Sequence, residues 1–175
     1  MNNDQEPLSS KIFPAELRTE IEQFLFLEAR YIDEQRWGPW LDLFQDEAIY
    51  WMPTDRHQDD PYAQASIIYE DKLGLELRIQ RRGHPQAHSL DRVPESTHLI
   101  SNIMLDELNG QANKFKVSSS FIALGYQEDI RNSQTVYGGR VFHDLARVDG
   151  GLKITRKKVV LNNCDAPQRN IQLLL

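Results

Sequence analysis

One cysteine stands in a chain of 175 residues, and that scarcity removes whole classes of chemistry. Cys164 has no partner for an internal disulfide, and zinc, iron–sulfur, thioredoxin-type and haem c motifs built on paired cysteines are excluded. A lone thiol suits a reducing cytoplasm. A basic excess is lacking too. With 26 acidic against 20 basic residues the formal net charge is −6, a surface that repels phosphate backbones, so neither nucleic acid nor an anionic membrane is expected as a partner. No apolar run reaches the length of a membrane span, and Asn2, Asn3, Asp4, Gln5 and Glu6 stand where a signal peptide needs a basic start and an apolar core. Repeats and low-complexity segments are also missing. What is there, 40% hydrophobic and 26% charged residues, predicts one soluble cytoplasmic domain over residues 1–175, with residues 1–12 flexible.

Helices are expected first. Pro14 suits the first position of a helix, where its missing N–H costs nothing. Leu17, Ile21, Phe24, Leu25 and Ile32 then recur at helical spacing as one apolar stripe that ends near Trp37. Gly38 breaks this helix and Pro39 starts a short second one through Trp40, Leu41 and Phe44. The β-forming run Ala48 to Met52 stops at Pro53 and reads as an edge or start strand. Thr54 to Ala65 is polar and aperiodic, an exposed loop. A third helix is expected to bury Tyr69, Leu73 and Leu77, with Ile68, Leu75 and Ile79 on a second apolar side. Arg78, Arg81 and Arg82 would complement its dipole.

After a loop from Gly83 to Pro94 the pattern changes to strands. Asn109-Gly110 marks a turn, and Lys114 to Tyr126 follows with Phe115, Val117, Phe121 and Ala123 on one face. Gln134 to Val148 and Leu152 to Leu161 flank the hairpin signal Asp149-Gly150-Gly151. In the last strand Leu152 and Ile154 share one face while Val159 and Leu161 share the other, a switch that predicts a bulge or strong coiling. The fold class is α+β, with helices first and a strongly curled, antiparallel sheet second.

Few side chains suggest chemistry. Glu28 lies in the middle of the apolar stripe, so its carboxylate points into the core and needs a cation or hydrogen-bond donors; Arg140, Arg147 and Arg156 are the candidate partners. Asp33 falls off the stripe and reads as a solvated helix residue. His98 alternates with Ile100 and Asn102 on one strand face, and an inward His98 near Glu28 could act as an acid/base pair, though a structural histidine is the simpler reading. His143 and Asp144, being adjacent in a strand, point to opposite faces and form no dyad. His84 and His88 have metal-ligand spacing only on a helix, which Gly83 and Pro85 oppose. His57, Asp59 and Asp60 fit a solvated loop as well as a site; Ser118 to Ser120 lack a nucleophile elbow. Gly138-Gly139 suits a bend or close backbone approach, not a phosphate loop.

Taken in order, several segments resemble the small, or β, subunit of aromatic-ring-hydroxylating dioxygenases. They are Phe24-Leu25-Phe26-Leu27-Glu28-Ala29 with Asp33, Trp40-Leu41, Tyr50-Trp51-Met52-Pro53, His98-Leu99-Ile100-Ser101-Asn102 and Tyr137-Gly138-Gly139-Arg140. The resemblance implies a fold like nuclear transport factor 2 and scytalone dehydratase, a mixed, mostly antiparallel sheet wrapped as a cone around the N-terminal helices. It implies a non-catalytic subunit, with no catalytic, cofactor-binding or metal-binding residues of its own. Its partner would be a catalytic α subunit that carries a Rieske [2Fe–2S] cluster and a mononuclear non-haem iron, in an α3β3 hexamer that also joins β subunits to one another. Two departures stand out. Glu95 and Thr97 replace arginines common in the family, and the loops Thr54 to Ala65 and Gly83 to Pro94 look short. The competing readings are a stand-alone dehydratase or isomerase using Glu28 or Asp33 with His98, and a small-ligand binding module using the same cavity.

Overall fold

Pro14 caps the first helix rather than opening it: its carbonyl accepts the Arg18 N–H at 3.1 Å, and α1 runs Ala15–Asp33. The computed structural model describes residues 14–82, 94–109, 113–127, 133–168, 171 and 173–175. The expected flexibility of residues 1–12, the His84 and His88 pair and Gly110 of the first turn lie outside the described residues. Helix α1 buries Ile21, Leu25, Glu28, Ala29 and Ile32, the predicted stripe with Glu28 in it. It ends sooner than Trp37, because Gln35 takes a positive φ of 54° that no helix continues. A short α2 (Trp37–Leu41) follows, and Phe44 belongs to the next strand, where its ring meets Trp40 edge-on at 4.8 Å.

The remaining elements are β1 (Phe44–Pro53), β2 (Ser66–Asp71), α3 (Lys72–Arg82), β3 (Glu95–Asn109), β4 (Lys114–Gln127), β5 (Ser133–Val148) and β6 (Gly151–Leu161). The six strands form one sheet in the order β2-β1-β6-β5-β4-β3. Only β1 and β6 pair in parallel; the other neighbours are antiparallel, so the fold is α+β with a mixed sheet. β1 is thus the first strand of the chain, as expected, but it lies in the interior of the sheet and not at an edge. The proline at its end was misleading: it falls where the register with β2 shifts, between Met52 and Pro53, so no ladder bond depends on its missing N–H.

The third helix also begins later than its periodicity suggested. Ser66–Asp71 is strand, which puts Ile68 and Tyr69 in β2, and α3 buries Leu75 while Leu73 and Leu77 are 62% and 46% exposed. The spacing of four linked a strand residue to two helical ones, and the supposed second apolar side is the core side. Arg78 makes a two-pronged bond to Glu70 at 2.6 and 2.8 Å, a tether between α3 and β2 as well as a charge at the helix end.

On β4 the inward residues Phe115, Val117, Phe121 and Ala123 are buried, as their alternation requires, with Ser119 among them. The predicted bulge is present in β6. Leu145 pairs with Ile154 and Asp144 with Arg156, so Thr155 is an extra residue and Leu152, Ile154, Lys157, Val159 and Leu161 are all buried. Gly139 allows a close approach of strands, since a Cβ there would meet the Val160 carbonyl oxygen at 2.1 Å. The Asp149-Gly150 turn joins β5 to β6 with φ of 48° and 83°, both left-handed. Leu173, Leu174 and Leu175 are buried in the same core, and Leu175 is held by Tyr50, whose hydroxyl donates to its carbonyl at 2.7 Å.

Candidate functional site: a polar cavity under the first helix

The inner face of the sheet is mostly apolar, and a few polar side chains interrupt it. Register places Val117 of β4, His143 of β5 and Lys157 of β6 side by side, and α1 lays Glu28 above the latter two. Lys157 Nζ donates to Glu28 Oε1 at 2.6 Å, and His143 Nε2 lies 3.0 Å from Glu28 Oε2. All three residues are at most 3% exposed. Burial alone would push the Glu28 carboxyl up, but the attraction and hydrogen bonds of Lys157 and His143 outweigh it and hold the group well below the usual carboxylate range. Glu28 is thus an ionised, doubly bonded core residue.

None of the arginines expected beside Glu28 is there. Arg147 forms a two-pronged bond to Glu20 at 2.6 and 2.7 Å, Arg156 pairs with Asp144 at 2.9 Å, and Arg140 lies over the Phe142 ring. The missed partner, Lys157, had left a signal: it shares its parity with Val159 and Leu161, the apolar face of the strand after the bulge.

Asp33 corrects a second expectation. It ends α1, and there the helix meets β3, so its carboxylate is engaged rather than solvated. His98 Nδ1 lies 2.6 Å from Asp33 Oδ1, the His98 backbone N–H donates to Oδ2 at 2.8 Å and the Ser96 hydroxyl donates to Oδ1 at 2.9 Å. Partial burial raises the Asp33 carboxyl, and the His98 ring and backbone bonds, with Ser96 adding to them, more than reverse it. His98 is therefore paired with Asp33 and not with Glu28; its side chain is 2% exposed. His143 points inward while Asp144 bonds Arg156, so the two do part as expected.

Glu28, His98, Ser119, His143, Lys157 and Leu175 line a cavity of about 20 Å³ of space open to the centre of a water molecule, enough for about one water. An aromatic ring does not fit in this space. The other candidates do not join it. Asp55 caps the His57 N–H at 2.7 Å in the 54–65 loop, and Asp59 lies 3.8 Å from Lys158 with its own side chain almost fully exposed. Ser118 and Ser119 are buried strand residues. Among the described residues no group of three His, Cys, Asp or Glu is placed to hold a metal. A Rieske centre needs two cysteines and two histidines, which a chain with one buried cysteine does not supply. Nor is any described helix long and apolar enough to cross a membrane.

The profile of the family described as "Ring hydroxylating beta subunit" matches residues 27–168. The 2-halobenzoate 1,2-dioxygenase small subunit of Burkholderia cepacia is 32% identical over 145 residues, covering 80% of this chain and 85% of that protein. The small oxygenase component of the p-cumate 2,3-dioxygenase system of Pseudomonas putida is 32% identical over 165 residues, 91% of this chain and 89% of that one. Among solved structures, the β subunit of the Burkholderia mallei benzoate 1,2-dioxygenase superposes with a TM-score of 0.69 at 26% identity, over 89% of this chain and 96% of that one. With a family profile over most of its length and relatives of this identity and coverage, the chain belongs to the ring-hydroxylating dioxygenase β-subunit family.

Proposed function

We propose that this protein is the non-catalytic, structural β subunit of a Rieske-type dioxygenase whose α subunit dihydroxylates an aromatic compound. The observation that carries this reading is the filled core: among the described residues the one fully buried carboxylate, Glu28, is locked to Lys157 and His143, and the cavity beside it accommodates about one water. The Rieske cluster and the mononuclear iron belong on the α subunit. The chain acts as one domain over residues 1–175, in the cytoplasm, with its sheet curled as a cone around α1. That curl is supported by the register shifts between β1 and β6, β3 and β4, and β5 and β6.

The assembly is an α3β3 hexamer. Exposed apolar side chains on neighbouring strands support a docking role for the outer sheet face. Leu99 sits opposite Ile122, and Leu124 opposite Val136, each 45 to 65% exposed. Burying such a strip is the ordinary driving force of obligate association. The dehydratase or isomerase reading with Glu28 or Asp33 and His98 is disfavoured by the size of the cavity, and a binding module for an organic ligand fails on the same ground.

Purification of the tagged chain from its own host tests this. A larger iron–sulfur chain eluting with it at equal stoichiometry is expected, as is an isolated chain without iron and without arene turnover. Stoichiometric iron with oxygenase activity in the isolated chain would overturn the reading.

A further inference from the structure

Three buried polar atoms around the cavity make no hydrogen bond to another protein group: His98 Nε2, Ser119 Oγ and His143 Nδ1. All three residues line the same space. Leaving three such atoms dry would forfeit the hydrogen bonds each makes to water in the unfolded chain, which native proteins avoid almost without exception. Their shared location needs a cause.

Their hydrogen-bonding roles narrow the answer. Each histidine offers its other nitrogen to a carboxylate, His98 Nδ1 to Asp33 and His143 Nε2 to Glu28. That contact turns each ring so that its second nitrogen faces the cavity beside the Ser119 hydroxyl, three polar atoms around one small space. A guest that both donates and accepts satisfies them whichever ring nitrogen carries the proton. Water does so, and the space of about 20 Å³ admits about one.

We propose that the cavity is a binding site for a single internal water, hydrogen-bonded to His98 Nε2, His143 Nδ1 and Ser119 Oγ. This water joins the Asp33–His98 pair and the Glu28–His143–Lys157 cluster into one hydrogen-bonded network between α1, β3, β4, β5 and β6. It gives the two carboxylate–histidine pairs a common role: each fixes the orientation of a ring whose other nitrogen holds the water. The inference stands on the cavity alone and does not depend on the subunit assignment.

The test is a crystal structure of the full chain, grown without ammonium salts, at a resolution where ordered waters are unambiguous, together with water-oxygen-17 relaxation dispersion in solution. One isolated density peak within hydrogen-bond distance of all three atoms is expected. In solution, Ser119→Val, whose methyl groups fill the space, is expected to lose one long-lived internal water relative to the unaltered protein. An empty cavity, histidines that bond Ser119 or each other directly, or a larger guest in the density would overturn the proposal. Should Ser119→Val fail to fold, the density in the unaltered protein decides alone.

Discussion

Lys157 Nζ reaches Glu28 Oε1 at 2.6 Å across the interface between β6 and α1, with both side chains 4% exposed. The two residues are far apart in sequence, and their bond ties the N-terminal helix to the last strand. A buried pair of this kind stabilises little relative to apolar residues of similar volume, yet breaking it from one side strands a charge. Glu28→Gln is therefore expected to destabilise the protein by about 3–5 kcal/mol, because Lys157 loses its only anionic partner in the cluster. Replacing both, as Glu28→Leu with Lys157→Met, should cost less than Glu28→Gln alone. Denaturant unfolding of the three variants, compared at equal m-value, checks this order; a double variant worse than the single one would contradict it.

Acid should reveal the same carboxylates. The folded-state values of Glu28 and Asp33 both lie below their ordinary ones, about 4.5 and 3.8. A depressed group contributes stability that is complete above its ordinary value and is lost as pH falls through its folded value. Stability is thus expected to hold on the neutral side and to decline below about pH 4.5, by at most about 1.4 kcal/mol per pH unit for each carboxylate. Glu20, paired with Arg147 at a wetter site, adds less because solvent screens it. Urea unfolding across this range checks the decline, and Glu28→Gln should flatten it.

Much of this arrangement was legible in the sequence. Helical spacing placed Glu28 inside, because a carboxylate surrounded by Ile21, Leu25 and Ile32 has nowhere else to point. The parity switch between Ile154 and Val159 announced the bulge at Thr155. What escaped was long-range. The partner of Glu28 depends on which strands lie under α1, and no local pattern encodes how that helix docks on β5 and β6. Asp33 was misjudged because a helical wheel knows one core face, while at the last turn of α1 a second element, β3, meets the helix from the side. The strand β2 was hidden by Ile68 and Tyr69 falling into step with the helix that follows.

Gly139 and Gly138 provide a paired test of backbone approach. A Cβ on Gly139 would stand 2.1 Å from the Val160 carbonyl oxygen, a backbone atom that cannot swing away, whereas on Gly138 the nearest atoms are at 3.6 Å. Gly139→Ala must part β5 from β6 and is expected to cost at least about 1–3 kcal/mol, as overpacking does. Gly138→Ala should be close to neutral. Thermal unfolding of both variants checks the contrast, and equal effects would show that the strands yield more easily than their register implies.

Tyr50 holds Leu175 in the core. Its hydroxyl donates to the Leu175 carbonyl at 2.7 Å and accepts from the Leu175 N–H at 3.3 Å, while its ring lies 5.8 Å from Lys157 Nζ. Tyr50→Phe keeps the ring and its packing but leaves a buried carbonyl and a buried N–H without their shared partner. The expected loss is about 1–3 kcal/mol, the penalty of unsatisfied buried groups rather than of lost apolar contact. Because Leu175 lines the cavity, the loss should appear first as local opening: faster hydrogen exchange at Leu175, with exchange in β4 and β5 unchanged. Uniform acceleration across the sheet would instead mean that Leu173 to Leu175 unfold only with the whole core, and that the Tyr50 hydroxyl serves global stability rather than the closure of this one end.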